Sequence, residues 1–98
     1  MVNAADLIAR LKSLEPELRS AGVETLFLFG SRARGDHRAD SDVDLLFDAR
    51  ARDFSYFDLF RIRADLAAKL DLPVDLVERR AIHALVRPFV DPDLMRVY

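Results

Sequence analysis

Along the first twenty positions the apolar residues Leu7, Leu11, Leu14 and Leu18 recur at steps of four, three and four, the spacing of a single helical face. A helix over residues 3–20 is predicted, with Asn3 as its N-cap, Asp6 three residues on, and Gly22 able to close its end. The run VETLFLFGS is rich in β-branched and aromatic residues and ends at Gly30, which predicts a first strand. After the polar stretch SRARGDHRADS comes VDLLFD, read as a second strand with Val43, Leu45 and Phe47 on one face and Asp44, Leu46 and Asp48 on the other. Ser55 followed by Asp58 forms a capping-box signature for a helix whose stripe of Leu59, Ile62, Leu66 and Leu70 ends near Leu72. Pro73 then opens a third strand, PVDLVE. The remainder, RRAIHALVRPFV and DPDLMRVY, reads as two short helices interrupted at Pro88, the second with Asp91 as N-cap and Pro92 at its first helical position.

This order predicts an α/β (α+β) fold: a small mixed β-sheet with flanking helices. Strand two, the capped helix and strand three make a βαβ unit, so those two strands should be parallel. Strands one and two are joined by a short connection, which favours an antiparallel pair with a helical turn between them. Residues 1–98 have room for one domain, and they contain no repeat and no linker. Leu, Ile, Val and Phe supply 33 of the 98 residues, enough to drive collapse into a globular core. A net charge of −2 argues against a domain that binds nucleic acid by neutralising phosphates. The absence of cysteine excludes disulfides and thiolate metal sites. The N-terminal residues lack the apolar run of a signal peptide, and Leu26–Phe29 is far too short to cross a bilayer. A soluble, cytoplasmic protein without membrane contact is the expectation.

The acidic residues change the picture, because 13 of the 17 are Asp, a poor helix former favoured at caps, turns and metal sites. Asp42 and Asp44 lie two residues apart at the start of strand two and so project to one face. Asp75 is the second residue of the apolar core of strand three, flanked by Val74 and Leu76, which point the other way. In a parallel pair Asp75 rises at the same end as Asp42 and Asp44. Three such carboxylates repel one another unless a cation holds them, and an all-oxygen set selects Mg²⁺ or Mn²⁺. At that end strand one finishes in Gly30-Ser31, followed by Arg32, Arg34 and Gly35, a backbone able to approach an anion closely. Anion cradle and carboxylates together are the parts of phosphoryl or nucleotidyl transfer. Other polar residues have plainer readings. Asp40 and Asp48 read as solvated, Arg79 and Arg80 beside Glu78 as a solvated helix start, and His37 and His83 as surface or packing residues. Arg32 could face phosphate or solvent. Phe54, Tyr56, Phe57 and Phe60 are numerous for one helix start, and one or two of them are candidates for an interface.

The segment GSRARGDHRADSDVDLL resembles the signature of the minimal nucleotidyltransferases (MNT) of the DNA polymerase beta superfamily, with Gly30, Ser31, Arg34, Gly35, Ser41, Asp42 and Asp44 on motif positions and Asp75 matching the third carboxylate. The resemblance covers about residues 23–77 and implies a polymerase beta-like nucleotidyltransferase fold. It implies that Gly30 and Ser31, with Arg34 and Ser41, hold the triphosphate of a nucleotide, normally ATP. Asp42 and Asp44 would bind two Mg²⁺ ions, and Asp75 would complete the metal site and accept the acceptor hydroxyl's proton. Proteins of this kind act as antitoxins of HEPN-type toxins, which implies AMP transfer to a hydroxyl of such a partner, normally a tyrosine. A binding-only antitoxin, and a small-molecule nucleotidyltransferase working with a separate helical subunit, remain alternatives. The surface expected to meet a partner is Phe54 to Phe57 or the C-terminal segment through Tyr98.

Overall fold

The computed structural model describes residues 3–51, 54–81 and 93–98. Pro16 divides the first helical stretch. Lacking an N–H and clashing with the preceding turn, proline is tolerated at the start of a helix and not in its interior. The single helix expected over residues 3–20 is accordingly two, α1 (Ala4–Ser13) and α2 (Glu15–Ser20), hinged at Leu14. The Asn3 side chain caps α1 by accepting from the Asp6 amide at 2.8 Å. The apolar stripe survives the break, with Leu7, Leu11 and Leu18 all buried.

β1 (Val23–Phe29) is followed by a one-turn helix, α3 (Ser31–Arg34), then β2 (Val43–Ala49), α4 (Tyr56–Leu70), β3 (Val74–Glu78), a 3-10 turn (Arg79–Ala81) and β4 (Met95–Arg96). Ser55 and Asp58 form the predicted capping box on α4. The sheet order is β3-β2-β1-β4, with β2 and β3 parallel and β1 antiparallel to both of its neighbours. Helical Leu7, Leu11, Ile62 and Leu66 pack with Leu26, Leu28, Val43, Leu45 and Phe47 of the strands in one core.

Two expectations change. Leu46, placed by alternation on a polar face, is fully buried, because β2 is a central strand with cover on both sides. Opposite Leu46 stands Phe27, whose ring lies 4.5 Å beneath the Arg79 guanidinium. Met95–Arg96 is a strand rather than part of a helix, because it completes the open edge of β1: the Val97 amide donates to Leu26 O at 2.8 Å, and Val97 and Tyr98 are buried. Arg79–Ala81 is a single turn, and the rest of the first expected C-terminal helix, like the Asp91 cap and Pro92, lies outside the described residues.

Asp48 is not simply solvated, nor is Arg79. The Arg79 guanidinium donates to both carboxylate oxygens of Asp48, at 2.9 and 2.5 Å, and the Thr25 hydroxyl also donates to it. Arg79 chiefly, with Thr25 adding to it against the opposing effect of burial, holds the Asp48 carboxyl below the usual carboxylate range. A carboxyl depressed in this way stabilises the fold above its unfolded value, near 4, and the contribution fades as pH falls through the lower folded value. Asp48→Asn should therefore cost about 1 kcal/mol at neutral pH, a figure held down because about a third of each side chain still meets solvent. The cost should vanish in strong acid. Urea denaturation at both pH values checks this, and an equal loss at both would refute the charge assignment.

Candidate active site

β2 and β3 pair with Asp44 directly opposite Asp75, so the parallel register alone sets these two carboxylates side by side at one end of the sheet. Asp42 stands two residues before Asp44, on the stretch entering β2. On the other side of β2, Phe29 pairs with Asp44, which brings the next residue, Gly30, over the same carboxylate. Gly30 has φ +78° and ψ −158°, a conformation essentially reserved for glycine, and a Cβ built there would overlap the Asp44 carboxylate oxygen. The Gly-Ser turn and the acidic pair thus meet in direct contact.

Asp44 is half-buried. Burial first, then the charges of Asp75 and Asp42, push its carboxyl above the usual carboxylate range, and Arg34 opposes them. The three predicted acids therefore share one electrostatic environment. Among the described residues no three acidic or histidine side chains already converge tightly enough to grip a metal ion. Their donor set nevertheless fits a hard divalent cation, because all the donors are carboxylate oxygens and their mutual repulsion is what such a cation would relieve.

α3 begins at Ser31, and Gly30 O accepts from the amides of Ala33 and Arg34. The first-turn amides of Ser31 and Arg32 have no acceptor within so short a helix. Arg34 is engaged by acids: its guanidinium donates to Asp36 at 3.1 Å and to Asp93, just before β4, at 2.8 Å. The Ser41 hydroxyl accepts from the Arg38 amide at 2.8 Å, so it shapes the turn that delivers Asp42. Arg32 does not face bulk solvent: it is 3% exposed, with its guanidinium donating to backbone carbonyls of the same turn. Sequence reasoning missed this role. The signal available was an Arg on a helix of one turn directly between a glycine turn and an acidic pair.

The two tyrosines are both remote from the carboxylates in function. Tyr98 is buried, donates its hydroxyl to Val23 O at 3.0 Å and lies 4.8 Å below the Arg19 guanidinium. Burial pushes its phenol well up. Tyr98 is therefore a core residue and offers no surface to a partner. Tyr56 is 81% exposed but begins α4, whose 15 residues run back toward Asp75 over roughly 22 Å. With Phe57, 87% exposed, and Phe60 it forms an aromatic ridge at the far end of the sheet. Beside the ridge is a cleft of about 340 Å³ lined by Phe54, Leu59, Leu76 and Val77. Phe54 itself packs on Phe47, ring centroids 5.2 Å apart, and belongs mostly to the interior. His37 is largely enclosed, and both ring nitrogens lack a protein partner among the described residues. His83 lies outside them. No helix among the described residues is long and apolar enough to cross a membrane.

Known proteins resemble this chain in sequence and fold. A protein of Methanocaldococcus jannaschii named as a protein adenylyltransferase is 31% identical over 77 residues, covering 76% of this chain and 77% of that protein. A solved minimal nucleotidyltransferase superposes with a TM-score of 0.80 at 29% identity, covering 95% of this chain and 94% of that one. A crystal structure of a toxin–antitoxin with AMP-PNP superposes with a TM-score of 0.76 at 25% identity, covering 91% of this chain and 72% of that one. The nucleotidyltransferase domain family matches residues 7–95, a span that contains the Gly30-Ser31 turn, all three carboxylates and every strand that positions them. The chain is a nucleotidyltransferase and belongs to that family.

Proposed function

We propose that the chain transfers AMP from ATP to a hydroxyl, normally a tyrosine, of a HEPN-type toxin and thereby acts as its antitoxin. The observation that carries the reading is the contact of the Gly30 backbone with the Asp44 carboxylate, itself in register with Asp75. It places a backbone that tolerates a close anion against acids that call for a cation. A relative named as a protein adenylyltransferase, and a similar fold seen in a toxin–antitoxin with AMP-PNP, support both the transferred group and the kind of partner.

In this reading Gly30 and Ser31 hold the triphosphate, with Ser41 shaping the nearby turn and Arg34 free to exchange an acid for a phosphate oxygen. Asp42, Asp44 and Asp75 would hold two Mg²⁺ ions, which would neutralise charge on the triphosphate as the α-phosphorus reacts. The partner's hydroxyl oxygen forms a bond to the α-phosphorus, the bond from that phosphorus to the α–β bridging oxygen breaks, and pyrophosphate leaves. Asp75 is exposed at the mouth and takes the hydroxyl proton. The chain's own tyrosines are unsuited as acceptors, one being buried and the other roughly a helix length away, so the acceptor comes from another molecule. The aromatic ridge of Tyr56, Phe57 and Phe60 lies too far from Asp75 to hold that hydroxyl, but it is suited to dock the body of the partner that carries it. Residence in the cytoplasm is part of this reading.

Intact-mass measurement of both chains after incubation with ATP and Mg²⁺ tests the reading. An AMP-sized increment is expected on the partner alone, and Asp75→Ala should lose it by about 10²-fold or more while still binding nucleotide. Complex formation without any increment would leave a binding-only antitoxin, and labelling of this chain instead would overturn the acceptor assignment.

A further inference from the structure

Asp42 lies just outside β2, which begins at Val43, so the strand ladder does not itself fix its backbone. What fixes it is found on either side. The Val43 amide donates to Pro73 O at 2.8 Å, immediately before β3. On the other side the Arg32 Nε donates to Ser41 O at 3.0 Å, and its Nη2 donates to Ala39 O at 3.2 Å and Arg38 O at 3.5 Å. The turn is closed on itself as well, through the Ser41 amide to Arg38 O at 3.1 Å. Arg32 is a buried cation with no carboxylate partner among the described residues, and burial of that kind is costly unless the donors are spent. They are spent here on carbonyls of one turn. A planar guanidinium can serve several at once, whereas a lysine ammonium is a single point charge.

We propose that Arg32 is a positioning residue: it clamps the Arg38–Ser41 turn so that the Asp42 carboxylate stands beside Asp44 and Asp75 before any cation or nucleotide arrives. The inference rests on the transfer reading above for its consequence, though the clamp itself is a property of the free chain. Arg32 does not touch substrate. It acts through the carbonyl directly ahead of Asp42.

The test compares the wild-type chain with Arg32→Lys and Arg32→Gln in two ways. Amide hydrogen exchange of the metal-free chain should be at least tenfold faster at residues 39–43 in either variant and unchanged in α4. Binding of Mn²⁺ together with ATP whose α–β bridging oxygen is replaced by CH₂, followed calorimetrically, should weaken at least tenfold, less for Lys than for Gln. Unchanged exchange over residues 39–43, or unchanged Mn²⁺ affinity in a folded variant, would overturn the proposal. If neither variant folds, the wild type decides: exchange of the Arg32 Nε–H slowed at least a hundredfold relative to that of exposed Arg61 supports the clamp, and comparable rates reject it. A wild type that binds neither probe would refute the transfer reading while the exchange comparison still judges the clamp.

Discussion

Asp44→Asn is expected to cut AMP transfer by about 10³-fold, while the metal-free chain becomes equally or slightly more stable. The carboxylate sits half-buried between Asp42 and Asp75, and its charge is disfavoured by burial and by both of them. Asparagine keeps the shape and removes the charge, so the repulsion falls. Solvent still reaches the group, which limits the gain to less than about 1 kcal/mol. The same substitution should erase the rise in thermal midpoint that Mg²⁺ and ATP together give the wild type, because that rise comes from binding to the folded state alone. Thermal scans of both proteins, with and without Mg²⁺ and ATP, measure the two effects at once. A variant that keeps the whole ligand-induced rise would show that Asp44 does not hold the cation.

Gly30→Ala should be the most damaging change at the phosphate side. The backbone conformation there costs an L-residue about 1–3 kcal/mol, and the added methyl must displace the Asp44 carboxylate or the turn itself. Either displacement moves a reacting group by the order of an ångström, enough to lower transfer by about 10²-fold. The two parts of the effect can be separated. In an Asp44→Ala background the carboxylate is gone and only the Cβ at 3.3 Å remains near the methyl, so Gly30→Ala should cost less stability there than in the wild type. Equal costs in the two backgrounds, measured by urea denaturation, would mean that Gly30 and Asp44 are not in contact.

The strands and the acidic cluster were legible because they rest on local and periodic signals: alternation around Val43 to Phe47, the Ser55–Asp58 capping box, and the spacing of Asp42 and Asp44. Asp75 became legible once the βαβ order made strands two and three parallel, and the register bears out that pairing. Pro16 was visible too, but the leucine period that continues across it outweighed the break. The C-terminal strand was hidden by the Asp91-Pro92 start signal. What decides Met95–Arg96 is the vacant edge of β1, about 70 residues earlier, and no local window contains it. Arg32, Arg79 and Tyr98 share a different obstacle. Each is polar or amphipathic by type, and each is drawn inward by carbonyls or an acid that the fold supplies, so residue type alone pointed to solvent, a phosphate or a partner.

The pairing of Asp44 with Asp75 also bears on how the chain becomes active during folding. The two acids come from strands that meet only after α4 has crossed between them, a non-local parallel contact of the sort that forms slowly. A slip of one residue would turn Asp75 to the opposite face of the sheet, away from Asp44. A nascent or misregistered molecule therefore has the Gly-Ser turn and the Asp42–Asp44 pair, all encoded within one short stretch, yet lacks the third acid. The sequence signature alone therefore does not complete the cluster of acids: its third member depends on the register of two strands that are distant in sequence.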